Sequence, residues 1–261
     1  MNSSKKSILN SNFTYLAAFV LPVIMMMALY YTRGIFPWGN ECYLRSDMYH
    51  QYAPFFSELW HKIRNGESLT YSWNIGMGTN FTSLFAYYLA SPSNWFVALF
   101  PQKYTIEIMN AFIILKIAGS SLSLTYYLTK HNNNKHVIAA IFGMFYGMSG
   151  FIAAYSWNIM WLDCVILIPL IMLGLERLVN ENRCIFYCIT LGLCIFTNYY
   201  IAIMVCLSVV IYYVVLMIAY NGIKSPMQYV KKFINFCVYS LLAGGLGALS
   251  LIHILTLPTK A

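Results

Sequence analysis

The sequence predicts an all-α polytopic membrane protein, and three observations carry that expectation. Apolar residues make up 60% of the 261 positions and charged ones only 9%, against the roughly 25% charged content of soluble domains. Apolar windows close to the ~20 residues that a spanning helix needs recur along the chain. Lysine and arginine also collect in the short connections on one side of those windows, the bias that orients membrane helices. The net charge of +8 is therefore accounted for without nucleic acid as a partner.

Taken in order, residues 1–13 form a cytoplasmic amino terminus. The apolar run after Met1 to Lys6 continues without a small-x-small cleavage site, so it reads as an uncleaved anchor spanning 14–33. Further windows fall at 106–128, 137–156, 163–180, 184–197, 199–220 and 232–250, giving six or seven transmembrane helices and a bundle over 106–250. The window at 184–197 is short. Thr197-Asn-Tyr-Tyr200 is there either a tight extracytoplasmic turn or a break within one bent helix. An amino terminus inside places Lys5, Lys6, Lys130, Lys135, Arg177, Arg183, Lys224, Lys231 and Lys232 in cytoplasmic loops. Only Arg33, Arg45, Lys62, Arg64 and Lys103 then face outward. Seven cysteines form no CxxC pair and lie mostly in apolar segments, as small core residues do. Cys42 and Cys164 could face the same side and form a bridge.

Of the outward residues, Arg33 immediately precedes, and the other four occupy, one loop, 34–105, which is too long and too aromatic for a connector. In its first half Ser46 is placed to cap a helix on which Tyr52, Phe55, Phe56, Leu59 and Ile63 recur at helical spacing. Gln51, Glu58, Lys62 and Arg64 take the other faces, and Gly66 follows as a stop. Such an amphipathic helix would lie on the membrane surface with Trp60 at headgroup level. The second half, from Ser72-Trp-Asn-Ile-Gly-Met-Gly-Thr-Asn-Phe81 to Ser91-Pro-Ser-Asn-Trp95, reads as an ordered loop packed on the bundle.

Asp47 is the sharpest candidate for chemistry, since it opens the surface helix, where the dipole favours its ionised form. There it can take a proton from an attacking hydroxyl, orient it, or hold a divalent cation. The same position also suits an ordinary helix-start Asp. Asp163, in SWNIMWLDC, stands at the outer mouth of the fourth span, able to converge with Asp47 on one cleft or simply to begin its helix. Trp157 and Trp161 beside it read as interfacial anchors or sugar platforms. Lys116 lies mid-span, where an ammonium costs at least about 2.5 kcal/mol without a partner. A lipid phosphate or a carboxylate is expected to face it, with Glu107 too far along the helix for a direct pair. Tyr71, Trp73, Asn74 and Asn80 offer acceptor or sugar contacts, or merely build a turn with the neighbouring glycines. Gly143, Gly147 and Gly150 suit close helix approach. His131 and His136 read as a solvated turn, and His61 has no metal-ligand spacing to another histidine.

The runs SDMYHQYAPFFSELWHKIRNGESLTYSWNIGMGTNF and AYYLASPSNWFVALFP resemble the amino-terminal part of the bacterial YfhO family of multispan membrane proteins. The similarity continues through LKIAGSSLSLTYYL, FGMFYGMSGF and WLDCVILIPLIMLGLERL, and family members are considerably longer. The resemblance implies a GT-C-like glycosyltransferase bundle acting at the plasma membrane. Its donor would be a polyprenyl-phosphate-linked sugar, and its acceptor a cell-envelope polymer such as lipoteichoic acid at the outer leaflet. By position Asp47 matches the family's loop-one carboxylate, and His50 and Tyr52 would line the same cleft. Lys116 or Arg45 would neutralise the departing phosphate while Asp163 supports the site. Several GT-C enzymes carry a paired acidic motif where RSDMYHQ has one Asp, which leaves a divalent cation open. A transporter or lipid flippase also explains Lys116 and a bent region near residue 198, although it does not need this loop. The closing run LSLIHILTLPTK, within 249–261, resembles a translated sequencing adaptor and is set aside.

Overall fold

The computed structural model describes residues 2–133, 137–219 and 225–255, with side chains from residue 12 to 248. Lys5, Lys6, Lys135, His136, Lys224 and the side chains of 249–261 therefore lie outside what is described. Helix α1 (Asn2–Thr32) leads into the long loop, where a π-helical turn over Met48–Tyr52 runs directly into α2 (Ala53–Asn65). A two-residue hairpin, β1 (Tyr71–Ser72) against β2 (Thr79–Asn80), and α3 (Phe81–Leu84) complete its middle. The bundle follows as α4 (Thr105–His131), α5 (Ile138–Gly147), α6 (Gly150–Tyr155), α7 (Leu162–Glu181), α8 (Ile185–Thr197), α9 (Tyr199–Ala219) and α10 (Pro226–Leu255).

Four segments are long and apolar enough to cross a membrane among the described residues: 12–32, 102–131, 138–155 and 199–219. The other windows expected to span fall on α7, α8 and α10. Cross-helix bonds fix which ends meet. Tyr15 and Thr129 share a hydroxyl bond of 2.8 Å, so α1 and α4 run antiparallel. Glu176 of α7 accepts from Tyr127 at 2.8 Å and pairs with His131 at 2.8 Å, both on α4, and accepts from Tyr212 of α9. Lys232 of α10 donates to the Val179 carbonyl. These contacts gather the ends of α4, α7 and α9 and the start of α10 at one pole. His131, expected as part of a solvated turn, is exposed, and its ring nitrogen also reaches Glu176 of α7.

The loop packs on the other pole. Phe56 and Leu59 of α2 are essentially inaccessible and join a core with Tyr30, Met109 and Ile113. Gly66 ends α2 in the left-handed conformation, as expected from sequence, at φ 66°. The polar side of α2 departs from expectation, since Glu58 and Lys62 are 6% and 3% exposed. Hairpin β1–β2 folds over them: Ser72 and Asn74 donate to Glu58 at 2.7 and 3.0 Å, and Lys62 donates to the carbonyls of Ser68 and Tyr71. Burial works against the Glu58 carboxylate, but those two bonds and the Lys62 charge hold it below its usual range.

Asn198 settles the question at residues 197–200 in favour of a tight turn. Its extended backbone breaks the helix, its side-chain oxygen accepts from Ile201 N at 2.9 Å, and its amide reaches the Tyr87 carbonyl at 3.0 Å. Cys164 is buried there and Cys42 is exposed, both as free thiols, so the bridge open to them by sequence is not formed. A Cβ on Gly143 would collide with Thr125 Oγ1 and the Ser121 carbonyl, so only a glycine lets α4 and α5 approach this closely.

Candidate functional site

Asp47 sits at the N-cap of the π-helical turn, with φ −65° and ψ −15°, and makes no capping bond. Ser46, expected as the cap, instead has φ 46°, a left-handed conformation incompatible with the extended backbone a capping residue uses. The Asp47 carboxylate is half-buried and forms no hydrogen bond or ion pair among the described residues. The π turn aims Tyr52 inward, where its hydroxyl donates to Asn158 Oδ1 at 2.9 Å. Burial first, then the nearby Asp47 charge, pushes the Tyr52 hydroxyl well above its usual range, so it acts as a donor. His50 leaves this line: it is exposed and stacks edge-on to Tyr49 at 5.3 Å.

One turn of chain beyond Asn158 stands the second half of the site. Lys116 Nζ lies 2.6 Å from Asp163 Oδ2 and donates to the Ile159 carbonyl at 3.2 Å. Neither a lipid phosphate nor Glu107 is needed as the Lys116 partner. Asp163 begins α7, yet its side chain reaches across to α4 instead of capping its own helix. The two acids thus lie at the same pole, and Tyr52, Asn158 and Ile159 link their neighbourhoods.

Two buried donors in this stretch have no partner among the described residues, Asn158 Nδ2 and Trp161 Nε1. An unmet buried donor costs about 1–3 kcal/mol, so such groups call for an explanation. On α4, Glu107 Oε2 and Asn110 Oδ1 are unmet acceptors as well. Trp161 also lines a cavity of about 580 Å³ between α5–α6, α7 and α9, walled by Phe151, Ile168, Met172 and Met204. An apolar cavity with one spare indole donor on its wall can hold an amphiphile.

Arg45 lines a different, smaller slot on the far side of α5–α6. In the loop, Trp73 is 76% exposed, whereas Asn74 is committed to Glu58 and Asn80 caps α3 through Ser83 N at 3.2 Å. Both asparagines are turn-builders here. Among the described residues no three His, Cys, Asp or Glu side chains gather as a metal site.

Sequence reasoning passed over Asn158, although the signal was present. SWN occurs at 72–74 and again at 156–158, and in both copies Ser and Asn bond inward: Ser156 to Tyr43 at 2.6 Å and Asn158 to Tyr52. No curated protein and no solved structure matches the chain. A family model described as bacterial membrane protein YfhO matches residues 17–257. Spanning most of the chain, that match shows that the protein belongs to the bacterial membrane protein YfhO family.

Proposed function

We propose that this chain is a membrane glycosyltransferase that moves a sugar from a polyprenyl-phosphate-linked donor to a cell-envelope polymer of the teichoic-acid type at the outer leaflet. The unmet donors Asn158 Nδ2 and Trp161 Nε1, the second on the wall of the apolar cavity and the first on the side chain that Tyr52 bonds, carry the reading. The polyprenyl chain lies in the cavity, and the donor phosphate sits at its mouth on those two N–H groups. Asp47 takes the proton of the attacking acceptor hydroxyl. As the new bond to the anomeric carbon forms, the bond from that carbon to the phosphate oxygen breaks. Polyprenyl phosphate leaves with the electron pair, and a single displacement inverts the anomeric carbon.

Lys116 is already neutralised by Asp163, so the pair holds the Asn158–Trp161 turn in place through the Ile159 carbonyl. N–H donors aimed at the phosphate then supply the charge stabilisation, which is worth most in a site shielded from water. A divalent cation would have Asp47 as its protein ligand in this mouth, and no step is routed through one. Family membership supports the transferase class, and the apolar cavity is of a kind that suits a lipid-linked donor.

Asp47→Asn tests the reading in cells, with labelled sugar incorporation into envelope polymer followed at matched protein level. A loss of about 10²-fold or more is expected for a missing base, with lipid-donor flipping intact. Unchanged incorporation removes Asp47 from the mechanism. Loss of flipping instead favours a lipid flippase, a reading that draws on the same cavity and on the break at Asn198 between α8 and α9.

A further inference from the structure

The smaller slot has a chemistry of its own. Its volume is about 160 Å³, and Met26 and Leu29 of α1, Ile117 of α4, Met148 and Ile152 form its walls. Arg45 stands at the loop end of this apolar lining. Neither Asp47, Asp163 nor Lys116 lines it. The inference is therefore independent of the transfer reading.

The flanking helices face lipid. Leu21 and Ile24 of α1 are 44% and 56% exposed, and Phe142 and Phe145 of α5 are 56% and 62% exposed. Leu29 lies within the last turn of α1, so the slot opens at the level where a spanning helix meets the headgroups. Arg45 is exposed and lies over an aromatic ring. Its guanidinium lies 5.4 Å from the centre of the Tyr43 ring, and the Tyr43 hydroxyl is tied to Ser156 on the slot's other wall at 2.6 Å. Arg45 has no carboxylate partner among the described residues.

An exposed guanidinium fork without an acid fits a phosphate diester, which it can bind through two parallel N–H bonds. The apolar slot beneath it fits an acyl chain, whose burial is favourable wherever the walls fit it better than neighbouring lipid does. We propose that this slot is a binding site for an anionic phospholipid, with its phosphate on Arg45 and the start of one acyl chain between α1 and α6. Bound there, the lipid would brace the Tyr43–Ser156 contact that docks the loop on α6, linking the charge of the surrounding membrane to the loop's position.

The test uses the detergent-purified chain, titrated with phosphatidylglycerol or with phosphatidylcholine of the same acyl chains. Native mass spectrometry and thermal unfolding are the readouts. A single retained phosphatidylglycerol that raises the unfolding temperature is expected, with no comparable effect from phosphatidylcholine or inorganic phosphate. Arg45→Gln should weaken retention about tenfold or more, the loss of a charge-assisted bond. Ala153→Trp, which fills the slot from an exposed position, should abolish it. Lys103→Gln, a loop cation away from the slot, should leave it unchanged. If Arg45→Gln unfolds without lipid, Ala153→Trp alone decides. The proposal is overturned by equal retention of phosphatidylcholine, by an equal effect of inorganic phosphate, by wild-type retention in Ala153→Trp, or by a dimer that forms through this face instead.

Discussion

Lys116 shows how a single charge can be legible while its purpose is not. An ammonium eleven residues into α4 stands out in any apolar run, yet its partner Asp163 is 47 positions away and belongs to another helix. Spacing carries no information across that separation. Removing one member of a buried pair leaves the other uncompensated and costs about 3–5 kcal/mol, whereas replacing both with apolar side chains is often near neutral. Lys116→Met is therefore expected to lower the unfolding temperature of the purified chain sharply, and Lys116→Met with Asp163→Leu to recover most of it. Equal loss in the double variant would show that the pair's neighbours, not the pair, set the cost. Glu58 gives the complementary case in the loop. Its carboxyl is held low in the folded chain, so its contribution is full at neutral pH. That contribution fades as pH falls below the ordinary carboxylate value of about 4.3 toward the depressed native one. Proteolysis of the loop should accelerate over that acid range in the wild type. In Glu58→Gln it should already be faster at neutral pH and depend less on acid.

The existence of the long helices was the most readable feature, because it follows from run length, whereas the break between α5 and α6 inside the 137–156 window was not. The surface helix was read correctly in its apolar stripe and wrongly in its polar one. Glu58 and Lys62 look like a solvated face in sequence, since nothing local says that the hairpin at 71–80 will close over them. The π turn at Met48–Tyr52 was equally hidden, although such insertions are frequent at functional sites. It alters the facing of every residue from 48 to 52, which is why Tyr52 turns inward and His50 does not. Asn198 was visible as a break but not as a tie. It caps α9 and also holds the loop through Tyr87, so Asn198→Ala removes about 1 kcal/mol of capping and a second bond of similar size. A loss of roughly 2 kcal/mol in unfolding free energy is expected. Asn198→Asp, which keeps the capping oxygen and loses the amide, should fall between the two.

At the scale of the molecule, the two poles differ in chemistry in a way that only the folded chain makes plain. Lys130, Arg177, Arg183 and Lys232 belong to helix ends that meet around Glu176 and Val179. The loop, the Lys116–Asp163 pair and the mouth of the larger cavity occupy the other end. Cationic helix ends in short connections stay in the cytoplasm, and the proposed transfer accordingly expects the loop pole at the outer face, where a lipid-linked donor and an envelope polymer would meet. Cys42 makes this measurable. It is an exposed thiol in the loop, while Cys164 and Cys194 are buried. In intact cells a membrane-impermeant maleimide should label the wild type, and Cys42→Ser should lose most of that signal. Glu181→Cys, at the end of α7 in the Cys42→Ser background, should label only after the membrane is opened. The reverse pattern would put the acids on the cytoplasmic side, away from any envelope acceptor, and the transfer reading would fall with the orientation.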